Sequence, residues 1–177
     1  MNVSLRIRFL ALSAVILGLV TGAAFAGTAS GTLSVSATVN TNCTVNSPTL
    51  TFTAIDPTAG SNSTGSATLS VKCTKGTTLV DIKLGPGLHQ IASGSRQVNS
   101  GSNNMAYALC TDSAVPCTTP WGDSTTTGIG SKLSTGFSAF TSVNTAQTFT
   151  VFGYILAAAE DVPAGTYTDS VAVTVDF

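Results

Sequence analysis

Every second residue is apolar along Leu33, Val35, Ala37 and Val39, inside an uncharged stretch, 27–42, that is otherwise small and polar. A period of two is the period of a strand, so this pattern predicts a β-strand with one apolar face. The alternation returns downstream. Leu50 and Phe52 alternate ahead of a turn at Asp56-Pro57. Ala67, Leu69, Val71 and Cys73 share one face before Lys75-Gly76, and Val80, Ile82 and Leu84 run into Gly85-Pro86-Gly87. A short segment around Arg96 to Val98 precedes the polar loop 99–104, after which Met105, Tyr107 and Leu109 predict another strand. Trp121-Gly122-Asp123 and the Thr/Gly-rich stretch to Lys132 read as loop. Phe149 to Leu156 is apolar on both phases, as in a strand buried between two sheets. After a turn at Pro163-Ala164-Gly165, Tyr167 to Phe177 is the final strand, with Val171, Val173, Val175 and Phe177 on one face. About seven or eight short strands bounded by turn formers predict an all-β, immunoglobulin-like sandwich.

The first residues read as an export signal. Arg6 and Arg8 are followed by an almost unbroken apolar run from Phe9 to Val20, and Ala24-Phe25-Ala26 has the small-x-small pattern of a cleavage site. The expected division is a signal peptide at 1–26, an N-terminal arm at 27–42 and a β-sandwich domain at 43–177. The apolar run is short for a spanning helix of about 20 residues, so the mature chain is expected to have no membrane span. Cys43 is too far from the cut to carry a lipid at a new N-terminus.

Cleavage leaves about 150 residues, enough for one core and cramped for two. It also moves the net charge from −1 to about −3, and the remaining basic residues are scattered. Nucleic acid and anionic membrane surfaces are poor partners for such a chain. With only 8% charged residues, solubility rests on Ser, Thr and Asn, which favour turns and strands over helix interiors. Four cysteines in a secreted chain of this size read as two disulfides with three possible connectivities. Cys43 with Cys73 is favoured because each edges an alternating segment, and Cys110 with Cys117 because so few residues separate them. Zinc is the rival reading, but there is no C-x2-C pair and the single histidine, His89, is isolated.

Lys and Arg are absent from Gly27 to Val71, and the first acid after the signal is Asp56. Exposed strands are normally guarded by charge, proline or a bulge against pairing with another chain, and this one has no such guard. At the other end the sequence stops at Phe177 within an apolar strand, so no further strand is expected to cover that edge. A sandwich short of one strand has a groove, bordered here by Val171, Val173, Val175 and Phe177, which the arm residues Leu33, Val35, Ala37 and Val39 would fill. In its own groove the arm closes a monomer, and in a neighbour's it makes a head-to-tail contact that grows a fibre. Periodicity alone fits equally well the plainer reading that Leu33 to Val39 is the first strand of an ordinary sandwich.

Several segments resemble the spore coat protein U domain family. They are the ending VPAGTYTDSVAVTVDF (Val162 to Phe177), FGYI (Phe152 to Ile155), KCTKGT (Lys72 to Thr77), and the arrangement of Arg96, Tyr107 and Trp121-Gly122-Asp123. That family includes pilins of archaic, Csu-type chaperone-usher pathways. The resemblance implies an incomplete immunoglobulin-like sandwich completed by a donor strand from another subunit. It further implies a periplasmic chaperone that lends a strand to the groove and an outer-membrane usher that exchanges it for the arm of the next subunit. The expected location is a pilus at the cell surface, reached through the periplasm, with roles in adhesion and biofilm formation. Carried over residue by residue, the donors are Leu33, Val35, Ala37 and Val39, and the acceptor and chaperone edge is Val171, Val173, Val175 and Phe177. The chain departs from many relatives at Cys110 and in having the Cys110/Cys117 pair.

Catalytic readings are weak, and no enzyme activity and no cofactor are expected. His89 follows a glycine-rich turn and there is no G-x-S-x-G elbow. Glu160 and Asp161 are adjacent and would point apart in extended chain. Gly85-x-Gly87 has no helix after it to hold phosphate. Tyr107 and Trp121 suit a core or loop anchor better than a sugar platform. The alternative function is a self-contained secreted sandwich that binds carbohydrate or a surface.

Overall fold

Alternation around Leu69 grows into the longest strand of the structure, a computed structural model that describes residues 26–91 and 94–177. The expected signal peptide, 1–26, lies outside the described residues except for Ala26. The strands are β1 (Cys43–Val45), β2 (Ser63–Cys73), β3 (Asp81–Leu84), β4 (Arg96–Ser100), β5 (Asn103–Cys110), β6 (Gln147–Ile155) and β7 (Val173–Asp176). One 3-10 turn, Ala157–Ala159, follows β6. A curled antiparallel sheet has the order β1-β2-β6-β5-β4, and β3 pairs with β7 in a second, smaller sheet. The all-β expectation is met, in a form consistent with an immunoglobulin-like sandwich.

The core is built by inward positions of both sheets. Leu69 and Val71 of β2, Met105 and Leu109 of β5, Val151 and Ile155 of β6 and Ile82 and Leu84 of β3 are all buried in one cluster. β2 and β6 run together from Ser63↔Ile155 to Val71↔Gln147, which places Leu69 opposite Phe149 and Ala67 opposite Val151. Trp121, in the long loop after β5, is 1% exposed, and its indole Nε1 donates to Ile82 O at 3.0 Å. It is a core anchor, as a lone buried tryptophan with a satisfied N–H should be.

The predicted strand over Leu33–Val39 does not form, and four segments further along the chain also differ from the sequence pattern, each of these for a local reason. Leu50 and Phe52 pack on the core without forming a strand. They cross the sheet over Gly65 and Gly153, which face each other in register, and a Cβ at Gly153 would come within 3.1 Å of both side chains. Val80 is exposed although it shares the phase of Ile82 and Leu84, because Leu79 and Asp81 turn inward before β3. Asp81 is held there by Lys132 Nζ at 2.5 Å. In β6 only Val151, Gly153 and Ile155 are buried, while Phe152 and Tyr154 are half-buried on the outer face, so the strand is not enclosed on both sides. Of the expected last strand only Val173–Asp176 pairs, with β3. Earlier in that segment Thr168 exchanges two backbone hydrogen bonds with Asn99 of β4, at 2.9 and 3.0 Å. The chain therefore passes from the edge of one sheet to the edge of the other, and residues between the two contacts belong to neither.

Candidate functional site

Between residues 45–55 and 165–173 the sandwich is open. A groove of about 900 Å³ lies there, floored by Leu69, Leu84, Met105, Leu109, Val151 and Ile155 from both sheets. Val45, Leu50 and Phe52 form one wall, and Tyr167, Val171 and Val173 the other. The first wall comes from a segment that leaves the edge of the curled sheet after β1, and the second from the segment between sheets. The floor side chains are buried, and the walls mix apolar residues with polar ones such as Asn46, Thr51, Thr168 and Ser170.

Of the expected acceptor residues, Val171 and Val173 line the groove. Val175 is half-buried and pairs with Ile82, and Phe177 is 49% exposed; neither is among the lining residues. The chain divides into two units between Ala37 and Thr38. In the first, Leu33, Val35 and Ala37 are exposed, Leu33 at 85%; in the second, Val39 is exposed too. None of the four donor candidates lies in an assigned strand.

Cys43 is bonded to Cys73, its direct register partner across β1 and β2. Cys110 is bonded to Cys117, closing the loop after β5. Inside that loop Asp112 accepts hydrogen bonds from the backbone N–H groups of Ala114, Thr118 and Thr119 and from the Thr118 hydroxyl. Desolvation works against its charge, yet these donors hold its carboxyl down at about 2.

A polar cluster that the sequence pattern did not reveal fastens the second wall. Asp169, its side chain 3% exposed, accepts from the Tyr107 hydroxyl at 2.6 Å and from Leu88 N at 2.9 Å, and its Oδ1 lies 3.1 Å from His89 Nδ1. Gly87, at φ +85°, allows this approach, since a Cβ there would collide with the Asp169 carboxylate. Burial first, and Asp169 second, push the Tyr107 phenol well above its ordinary range, so it stays a donor. His89, isolated in the sequence, is a half-buried tether. Beside it Arg96 is 2% exposed and donates to three carbonyls, Gly85 O at 2.9 Å, Leu84 O at 2.7 Å and Trp121 O at 3.1 Å. Burial lowers its pKa, and the charges of Tyr107, Asp123 and Asp169 oppose that shift. The one available signal is the joint appearance of Arg96, Tyr107 and the Thr-Asp pair at 168–169, residues distant in sequence, of which alternation marks only Tyr107, and that only as an inward strand position.

This geometry offers a receptacle with an apolar floor and mixed apolar and polar walls. Among the described residues no group of His, Cys, Asp and Glu is placed to hold a metal ion, and no helix is long and apolar enough to cross a membrane. The family model described as Spore Coat Protein U domain matches residues 29–174. No curated protein matches the chain significantly.

Proposed function

The chain belongs to the Spore Coat Protein U domain family, and on that premise we propose that it is a structural subunit of a surface pilus built by the chaperone-usher pathway, in which the arm of one subunit completes the groove of the next. The family is associated with subunits of this pilus type. The observation that carries the reading is an opening of about 900 Å³ with an apolar floor, in a chain that also carries an exposed arm of alternating apolar residues.

Side chains on one face of an extended strand recur every two residues, roughly 6.5–7 Å apart. Leu33, Val35, Ala37 and Val39 would therefore present four successive apolar groups to the groove floor while Ser34, Ser36 and Thr38 face outward. Covering the groove removes apolar surface from water, the main driving force of such an association. In this scheme 27–42 is the arm and 43–177 the pilin domain. A periplasmic chaperone occupies the groove first, an outer-membrane usher replaces it with the next arm, and the resulting fibre supports adhesion and biofilm formation. Val171 and Val173 contribute to the groove wall, and Val175 and Phe177 extend the chaperone edge. The subunit has no catalytic role.

The test is assembly. Produced without a chaperone, the protein should form SDS-resistant multimers, and with one it should be recovered as a soluble complex. Val35→Asp should leave the complex intact and abolish multimers, because it forces a charge into an apolar site. A stable wild-type monomer that folds alone would instead favour the self-contained carbohydrate- or surface-binding sandwich.

A further inference from the structure

Residues 40–42 read Asn-Thr-Asn, a composition suited to a turn, yet they prolong the line of β1. Thr74 holds them there. Its Oγ1 accepts from Asn42 N at 3.0 Å and lies 3.3 Å from the carbonyl oxygens of both Asn40 and Asn42. Its backbone N–H donates to Asn42 O at 2.9 Å. The next residue, Cys43, is covalently joined to Cys73. The root of the arm is thus zipped to the end of β2.

β1 has β2 on one side only, and Val45 at its end begins the groove wall. For residues 33–39 to reach the groove of their own chain they would have to double back along the free edge of β1. Hairpin loops take about two to five residues, so the reversal would fall on 40–42. The backbone groups such a turn must reorganise are those engaged by Thr74.

We propose that Thr74 is a clip that keeps the arm out of its own groove, so that the groove is filled by residues 33–39 of a second copy of this chain. The inference rests on the reading that the groove accepts an arm. The hydroxyl is the selective element: it alone reaches Asn40, whereas the backbone bond from Thr74 N to Asn42 O survives any side-chain change. Removing it frees the turn residues without touching the arm, the groove or the disulfide.

The experiment compares wild type, Thr74→Val, Thr74→Ser, Val35→Asp and the double variant Thr74→Val/Val35→Asp, all as full-length protein. Size-exclusion chromatography gives the ratio of monomer to multimer, and hydrogen exchange reports whether residues 33–39 of the monomer are protected. Thr74→Val keeps the side-chain shape, and the loss of about two neutral hydrogen bonds should raise the closed monomer roughly ten-fold. That monomer should show protected residues 33–39, Thr74→Ser should behave as wild type, and adding Val35→Asp should abolish the protected species. If Thr74→Val leaves both ratio and protection unchanged while Val35→Asp alone still blocks multimers, the clip is refuted and the groove reading stands. If Val35→Asp multimerises like wild type, both fall.

Discussion

The Tyr107 hydroxyl donates to Asp169 Oδ2 at 2.6 Å, linking a central strand of the curled sheet to the segment that walls the groove. Both ends of this bond are largely removed from solvent. Tyr107→Phe would leave a buried carboxylate short of a donor, a loss of about 2 kcal/mol. For a domain of this size that corresponds to a fall of roughly 4–8 °C in Tm. Thermal melts followed by near-UV circular dichroism would measure it. A variant that melts with wild type would mean that Leu88 N and His89 suffice to hold Asp169.

The two disulfides should differ in weight. In the chain-entropy account, closing the Cys43–Cys73 loop stabilises by roughly 3.5 kcal/mol and the Cys110–Cys117 loop by about 2.5. The Cys43→Ala/Cys73→Ala variant should accordingly reach lower periplasmic levels than Cys110→Ala/Cys117→Ala. Quantitative immunoblotting decides the order, and non-reducing peptide mapping checks each pairing.

Acid should weaken the loops before it weakens the core. Asp112 and Asp123 are both held at about 2 in the folded chain, against an ordinary 3.8, by hydrogen-bond donors that outweigh desolvation. A carboxylate with a lowered folded pKa contributes stability that is present above its unfolded value and is lost as pH falls through the folded one. Tm should therefore drop between about pH 4 and pH 2, and Asp112→Asn with Asp123→Asn should flatten that drop. An equal slope in the double variant would assign the acid sensitivity elsewhere.

Fusing residues 31–42 to the C-terminus through a flexible linker should supply the missing strand within one chain. A ligand that binds only the folded state stabilises it by mass action, and a tethered one does so at high effective concentration. The fusion should be a soluble monomer with a strongly raised Tm, unable to accept another arm. Melting like the parent protein would show that the groove does not take this segment.

Much of the fold is legible in the sequence because its inner positions alternate cleanly. Leu69, Val71, Met105 and Leu109 are buried as their spacing implies, whereas β6 buries only one of the two apolar phases its sequence offers. The exceptions arise where partners distant in sequence decide. Val80 is displaced by the inward turn of Asp81 toward Lys132, and Leu50 and Phe52 are drawn across the sheet by glycines at 65 and 153. Of the four positions expected to border a groove, Val171 and Val173 line the opening and Val175 and Phe177 do not. The fastening of the second wall is not legible in the sequence, since Asp169 meets Tyr107 and His89 across long stretches of chain and a single carboxylate gives no periodic signal.

The placement of Cys43 also determines where a mechanical load would travel. Tension applied to residues 26–39 meets the hydrogen bonds of Asn40 and Asn42 to Thr74 and then Cys43, the first residue of the three-residue strand β1. Without a bond there, the pull would peel a short ladder open one rung at a time. With it, the force passes through sulfur to Cys73 and into β2, which is locked to β6 over nine residue pairs. A pull along the strand axis would then load those nine pairs together rather than one at a time.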